Sequence, residues 1–154
     1  MKEKKIILTD LTNSINQVKL YCENEKFKGW DPYDGLNSLV FKLLKINKIP
    51  TFRWVWIQFF KRFPFNMRKF FLIKKGYNPK AIALILSAYC NLYKISSDNS
   101  QQFGKKKDLY DRIIELTNLL LSIRSSGYSG DCWGYNFDWQ ARHLFFSLNI
   151  LPLL

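Results

Sequence analysis

Residues 109–127, LYDRIIELTNLLLSIRSSG, contain the clearest helical pattern in the chain and decide its fold class. Large apolar residues recur there every three or four positions, a spacing that places their side chains on one face of an α-helix. They are Leu109, Ile113, Leu116, Leu120 and Ile123. The Ser-Ser-Gly that follows is typical of a helix end. The segment is therefore predicted to be an amphipathic helix that packs against other helices.

The same spacing recurs in four other parts of the chain. It predicts helices over about 10–25, 36–44 and 51–63, and a further helix that starts at Pro79. No segment of useful length alternates between apolar and polar residues, as a half-buried strand would. The sequence therefore predicts an all-α fold of five or six helices, arranged as helical hairpins in a single domain over residues 1–154.

Length and composition limit the class of protein further. A chain of 154 residues is long enough for one core. Its longest uncharged internal run has thirteen residues, 81–93, whereas a membrane span needs about 20. The apolar run after the basic N-terminus stops after three residues, which is too short for a secretory signal. Three scattered cysteines without a CxxC pair indicate reduced thiols, so we expect a cytoplasmic protein.

The net charge of +12 is unevenly distributed. Residues 35–97 include twelve Lys or Arg and no Asp or Glu. Such a block attracts phosphate, anionic lipid or acidic polysaccharide. An AT-rich coding sequence would also enrich Lys, Asn, Ile, Phe and Tyr whatever the function, and the sequence leaves both explanations open.

Two loops, 27–37 and 127–139, combine flat aromatic rings with carboxylates and glycines. Residues 127–143, GYSGDCWGYNFDWQARH, include three of the seven glycines and the only histidine. Sugar C–H faces stack on aromatic rings, sugar hydroxyls bind carboxylates, and paired carboxylates can also act as acid and base on a glycosidic bond. The candidate ligand-binding residues are Trp30, Asp31, Tyr33, Asp34, Asp131, Trp133, Tyr135, Asp138, Trp139 and His143. If they serve one groove, the loops should lie at the same end of the helices, with Trp30 or Tyr33 near Trp133 or Tyr135.

A structural interpretation of the same residues stays open. Aromatic side chains often fix a loop to a helical core. Asp34 is suited to accept backbone N–H bonds within its turn. Asp138 is placed to cap a short helix over 139–146, WQARHLFF, with Arg142 as its ion-pair partner.

His143 and Cys132 raise the separate question of nucleophilic or metal chemistry. The chain has no second histidine and no closely paired cysteine, so neither a metal site nor a cofactor is predicted. His143 is expected to form hydrogen bonds near its loop. The sequence assigns no catalytic residue and leaves open whether the protein is an enzyme.

The two motifs together, GWDPYDGLNS and GYSGDCWGYNFDWQARHLFF, resemble the N-terminal part of a bacterial family from capsule and cell-surface polysaccharide gene clusters. The resemblance covers nearly the whole chain but only the first portion of the family's length. It implies a six-hairpin α/α toroid, an architecture that many glycosidases and polysaccharide lyases share. Some members carry the label delta-aminolevulinic acid dehydratase, an activity that belongs to a longer β/α barrel with a Schiff-base lysine, and no residue here supports it.

The end of the chain departs from the family pattern. The family continues past HLFF into a Pro-rich segment and further hairpins, whereas this chain continues as SLNILPLL and ends. We therefore expect an incomplete toroid, from a truncated gene product or the first of two split reading frames, with the remaining hairpins on a separate chain as a possible partner.

Three functions follow from these observations. The first is a carbohydrate-related protein of surface-polysaccharide biosynthesis, in which the two loops form part of a groove for a polysaccharide or glycan-derived ligand. The second is a basic helical module that binds nucleic acid or an anionic membrane through residues 35–97. The third is a truncated product without independent activity.

Overall fold

The computed structural model describes residues 2–44, 48–97, 102–140 and 145–146, and only the backbone of residues 2–5, 139, 145 and 146. Its α-helices in chain order are α1 (Lys2–Asn24), α2 (Leu39–Leu43), α3 (Pro50–Arg62), α4 (Pro79–Ile95) and α5 (Lys106–Ser122). Asp34–Asn37 forms a single 3-10 turn. Helices dominate the described residues, which confirms the all-α character predicted from the sequence. The toroid architecture stays a prediction.

Local sequence signals explain both ends of α3. Pro50 occupies the first turn of α3, where its missing N–H costs no hydrogen bond. The helix ends at Arg62 because Phe63, which precedes a proline, is extended. α1 begins eight residues earlier than predicted. The apolar side chains of its first turns, Ile6 and Ile7 among them, are exposed, so no burial pattern marks this start.

The predicted short helix over 139–146 is wrong. The backbone of Trp139–Gln140 (β1) instead pairs with Phe145–Phe146 (β2) as two antiparallel two-residue strands. Aromatic residues favour extended structure, and here this preference outweighs the capping signal of Asp138. The carboxylate of Asp138 lies 3.5 Å from Lys42 Nζ, while Arg142, its predicted partner, lies outside the described residues.

Contacts along the chain divide it into two compact units. Unit 1 comprises Met1–Lys28 and Lys80–Ser122, and unit 2 comprises Gly29–Pro79 and Ile123–Leu154. Among the described residues, no helix combines the length and the apolar character needed to cross a bilayer.

Unit 1 has a core to which α4 and α5 contribute Ile82, Leu109 and Leu116, all almost completely buried. The hydroxyl of Tyr89 on α4 donates to Glu23 Oε1 on α1 at 2.6 Å. Burial, with the adjacent Glu23 carboxylate, raises the pKa of Tyr89 well above its usual range. The hydrogen bond therefore joins α1 to α4 through a tyrosine that stays protonated.

An almost wholly apolar cavity of about 290 Å³ lies between α1 and α4 within unit 1. The thiol of Cys22 lines it, and burial raises the pKa of that thiol. The thiolate is therefore disfavoured here, as expected for a structural rather than a reactive cysteine.

Unit 2 has its core where the 3-10 turn, α2 and α3 meet. Leu36, Phe41 and Ile57 form this cluster, and the ring of Trp56 stacks on Phe41 with 4.8 Å between centroids. The indole N–H of Trp56 donates to the carbonyl of Gly35 at 2.9 Å. These contacts fix the end of the first aromatic loop on α3.

Candidate functional site

The carboxylates of the first loop are held by the protein itself. Asp31 accepts hydrogen bonds from the backbone N–H of Tyr33 at 3.0 Å and from Asn78 Nδ2 at 3.1 Å. Asp34 accepts from the backbone N–H of Asp31 at 3.0 Å and from Arg68 Nε at 2.9 and 3.2 Å. Both side chains therefore order the loop, which is the structural role that the sequence left open for Asp34.

Asp34 is the most buried charged group of this loop, with 4% of its surface exposed. Burial raises the pKa of its carboxyl, although the guanidinium of Arg68 and the N–H of Asp31 act in the opposite direction. Arg68 also donates from Nη2 to the carbonyl oxygen of Asp31 at 2.9 Å. Arg68 thus joins the loop at two points, and its removal would leave a buried carboxylate without its cation.

The two predicted aromatic residues of the first loop are half-buried. The indole N–H of Trp30 donates to the carbonyl of Ile73 at 2.9 Å, and Lys75 Nζ lies 4.7 Å from the centroid of its ring. Lys61 Nζ lies 4.9 Å from the ring centroid of Tyr33. These ammonium groups stabilise the ring orientations and add positive charge at the loop surface.

The second loop is closed at its base by backbone pairing. The N–H of Ser125 donates to the carbonyl of Cys132 at 2.9 Å. Between them, Gly127 adopts a φ of 93°, a left-handed conformation that L side chains rarely take. Arg124 Nη1 donates to Asp131 Oδ1 at 2.7 Å, and both side chains are half-exposed. The backbone bond and the ion pair together hold the two ends of residues 124–132 close to each other.

The second loop exposes aromatic rings to solvent. Tyr128, Trp133 and Tyr135 have 51%, 36% and 57% of their surfaces exposed, while Phe137 is buried. The ring of Tyr135 packs on Phe137 with 5.1 Å between centroids. Phe137 therefore anchors the end of the loop and leaves the three aromatic residues before it accessible.

The two loops meet at Asn37. Its Nδ2 donates to the carbonyl of Asn136 at 3.0 Å, and its Oδ1 accepts from the backbone N–H of Asp138 at 3.3 Å. The structure thus brings the end of the first loop against the second. Proximity of Trp30 or Tyr33 to Trp133 or Tyr135 stays a prediction.

A glycine makes this junction possible. The backbones of Gly76 and Gly29 exchange two hydrogen bonds, at 2.9 and 3.0 Å. A Cβ on Gly76 would collide with the side-chain amide of Asn136. The Oδ1 of Asn136 is buried and has no hydrogen-bond partner among the described residues. A side chain at Gly76 therefore fits only if the amide of Asn136 shifts.

Sequence patterns did not identify several residues that position the candidate site. Arg53 Nε donates to Gln140 Oε1 at 2.6 Å, and both residues are buried. Burial lowers the pKa of Arg53. Its place on the apolar face of α3, four residues before the buried Ile57, is a signal that could have identified it. Arg68 and Asn78 carry no such signal, because they lie at least 34 residues from their partners.

The remaining predicted site residues are only partly described. The backbone of Trp139 lies in β1, but its side chain and the whole of His143 are outside the described residues. Within the described residues, no group of three or more His, Cys, Asp or Glu is placed to hold a metal ion.

Comparison with protein-family models, with curated proteins and with solved structures finds no match for this chain. The resemblance to the polysaccharide-cluster family therefore stays a prediction.

Proposed function

We propose that the protein binds a glycan of the bacterial cell surface through the second aromatic loop, as part of surface-polysaccharide biosynthesis. In this proposal the chain forms the first hairpins of an α/α toroid, and the first loop borders the groove. The observation that carries the proposal is the exposure of Tyr128, Trp133 and Tyr135 on a loop that is fixed by the Ser125–Cys132 backbone bond and by the buried Phe137.

Burial is the favourable state for aromatic rings, so keeping three of them exposed on an ordered loop has a free-energy cost. Rigid rings with a polar edge make a low-entropy contact surface for a ligand. Sugars suit this surface because their C–H faces pack on rings while their hydroxyls bond to nearby polar groups. The phenolic hydroxyls of Tyr128 and Tyr135, on the exposed rings themselves, would supply such polar groups.

The first loop would support the groove. The hydrogen bonds of Asp31 to Tyr33 and Asn78 and the ion pair of Asp34 with Arg68 favour a positioning role, since a carboxylate whose oxygens already have partners is a poor acceptor for a sugar hydroxyl. We assign no catalytic residue, and hydrolysis or transfer is not part of the proposal.

The test is binding of the full chain to oligosaccharides released from bacterial capsular polysaccharides by mild acid hydrolysis, measured on an array and by calorimetry. Trp133→Ala and Tyr135→Ala should each weaken binding at least tenfold, since the loss of one aromatic stacking contact and its buried area is worth roughly 1.5 kcal/mol.

Trp54→Ala is the matched control, because Trp54 is also half-exposed but lies on α3, outside both loops. It should bind like the unaltered chain. Equal losses in Trp54→Ala and Trp133→Ala, or no binding to any member of the array, would contradict the proposal.

A further inference from the structure

A strip of exposed aromatic rings runs from the last turn of α3 into the segment that follows the helix. The ring centroids of Phe59 and Phe63 are 4.8 Å apart, and those of Phe63 and Phe65 are 6.2 Å apart. All three are exposed, and Phe65 has 74% of its surface in solvent. Phe59, Phe63 and Phe65 are called the aromatic strip below.

The same face of α3 continues the strip toward its N-terminus. Phe52 and Val55 precede Phe59 at spacings of seven and four residues, so they share its helical face, and half the surface of each is exposed. Other positions of α3, Ile57 and Phe60 among them, are buried in the core. Contiguous apolar surface of this kind on a globular protein marks an interaction site.

The charge around the strip has one sign. Unit 2 has twelve Lys or Arg but only four Asp and no Glu, whereas unit 1 balances twelve Lys or Arg with eight acids. The exposed Arg62 lies on α3 between Phe59 and Phe63. The exposed Lys69 lies two residues before Phe71. The ring centroid of Phe71 is 6.4 Å from that of Phe59, a member of the aromatic strip.

The acids of unit 2 do little to offset these cations. Asp34 and Asp138 are buried beside Arg68 and Lys42, and Asp131 is paired with Arg124. Asp31 bonds to Asn78 and to its own loop. The surface around the strip therefore presents cations and apolar rings together.

The geometry points to an anionic lipid bilayer as the occupant of this surface. A helix with aromatic and aliphatic residues along one face and cations at its side is suited to lie in the membrane interface, with the rings among the acyl chains and the cations at the headgroups. Nucleic acid would match the charge equally well. The aliphatic side chain of Val55, half-exposed on the same face, suits acyl chains but offers no ring on which a base could stack.

Flotation of the full chain with vesicles tests this. The probe is vesicles of phosphatidylglycerol and phosphatidylcholine in equal parts, against vesicles of phosphatidylcholine alone. The chain should float with the anionic vesicles only. Arg62→Gln with Lys69→Gln should weaken binding about thirtyfold, since each cation near such a surface contributes roughly fivefold. Phe65→Ser should weaken it about tenfold.

The matched control is Lys105→Gln with Lys107→Gln, which removes the same charge from exposed positions in unit 1. This variant should float like the unaltered chain. Circular dichroism checks folding, and if Phe65→Ser fails to fold, the two charge variants still decide the question.

Three outcomes would overturn the proposal. The first is that the chain does not float with anionic vesicles. The second is that the two charge variants lose equal amounts of vesicle binding. The third is that the chain does not bind vesicles but forms an oligomer or a nucleic-acid complex that Phe65→Ser abolishes.

Discussion

Replacing Arg68 by Met tests whether the first loop is held by a buried ion pair. Arg68 Nε bonds both carboxylate oxygens of Asp34, and Nη2 bonds the carbonyl of Asp31. The side chains of Arg68 and Asp34 are 13% and 6% exposed. Removing one partner of such a buried pair costs about 3–5 kcal/mol, because the other charge stays buried without compensation. We expect a loss of this size in the free energy of unfolding, measured by urea titration with circular dichroism.

Lowering the pH should reduce the loss of unfolding free energy caused by Arg68→Met. A carboxyl whose pKa is raised in the folded state stabilises that state below its ordinary value of 3.8 and loses this contribution as the pH rises through the folded pKa. Without Arg68, one influence that lowers the pKa of Asp34 is gone, so the pKa rises further. The loss in Arg68→Met should therefore be largest near neutral pH and smaller below pH 3.8.

The control is the double variant Arg68→Met with Asp34→Asn. It removes the stranded charge and should recover part of the lost stability at neutral pH while changing little in acid. A loss below about 1 kcal/mol in Arg68→Met, the value typical of an exposed pair, would refute the reasoning. A double variant no more stable than Arg68→Met would refute it as well.

Two further substitutions test the packing of unit 2. Gly76→Ala should cost about 1 kcal/mol in thermal or urea unfolding, the lower end of the range for overpacking, because its Cβ displaces only the terminal amide of Asn136 in the second loop. Gly130→Ala, whose Cβ would meet nothing within 4 Å, should be nearly neutral, and equal effects of the two substitutions would contradict the junction. Ser38→Ala should cost about 1–2 kcal/mol, since the fully buried hydroxyl caps α2 and donates to the carbonyl of Phe71 at 2.8 Å. Ser14→Ala, at an exposed hydroxyl, is its control, and a Ser38→Ala variant as stable as that control would contradict the capping role.

Helical periodicity predicted the elements of the fold well where one face is buried. Leu109 and Leu116 are almost fully buried on α5, at the spacing seen in the sequence. The start of α1 was missed because its first turns bury little, and the strands at Trp139 and Phe146 were missed because two-residue pairing leaves no periodic signal. The strand propensity of the aromatic residues and their pairing, rather than the capping signal of Asp138, determined the secondary structure of that segment.

The candidate site residues came from the sequence, but the contacts that hold them did not. The sequence singled out Asp31 and Asp34 as residues with a special role, yet their partners Arg68 and Asn78 lie far along the chain and match no local motif. The contact that a Cβ at Gly76 would make likewise involves Asn136, sixty residues away. Long-range pairings of this kind require the fold itself.

The most direct test of glycan binding by the second loop is the response of the indole N–H signals of the five tryptophans in an ¹H–¹⁵N spectrum of the full chain. The probe is the oligosaccharide mixture from capsular polysaccharide, and Trp133→Ala assigns the signal that matters. Trp56, bonded to Gly35 within the core, and Trp54 on α3 serve as internal references. We predict a saturable shift of the Trp133 signal with both references unmoved; a spectrum in which the Trp133 signal stays still, or moves only together with Trp54 and Trp56, would contradict the proposed glycan site.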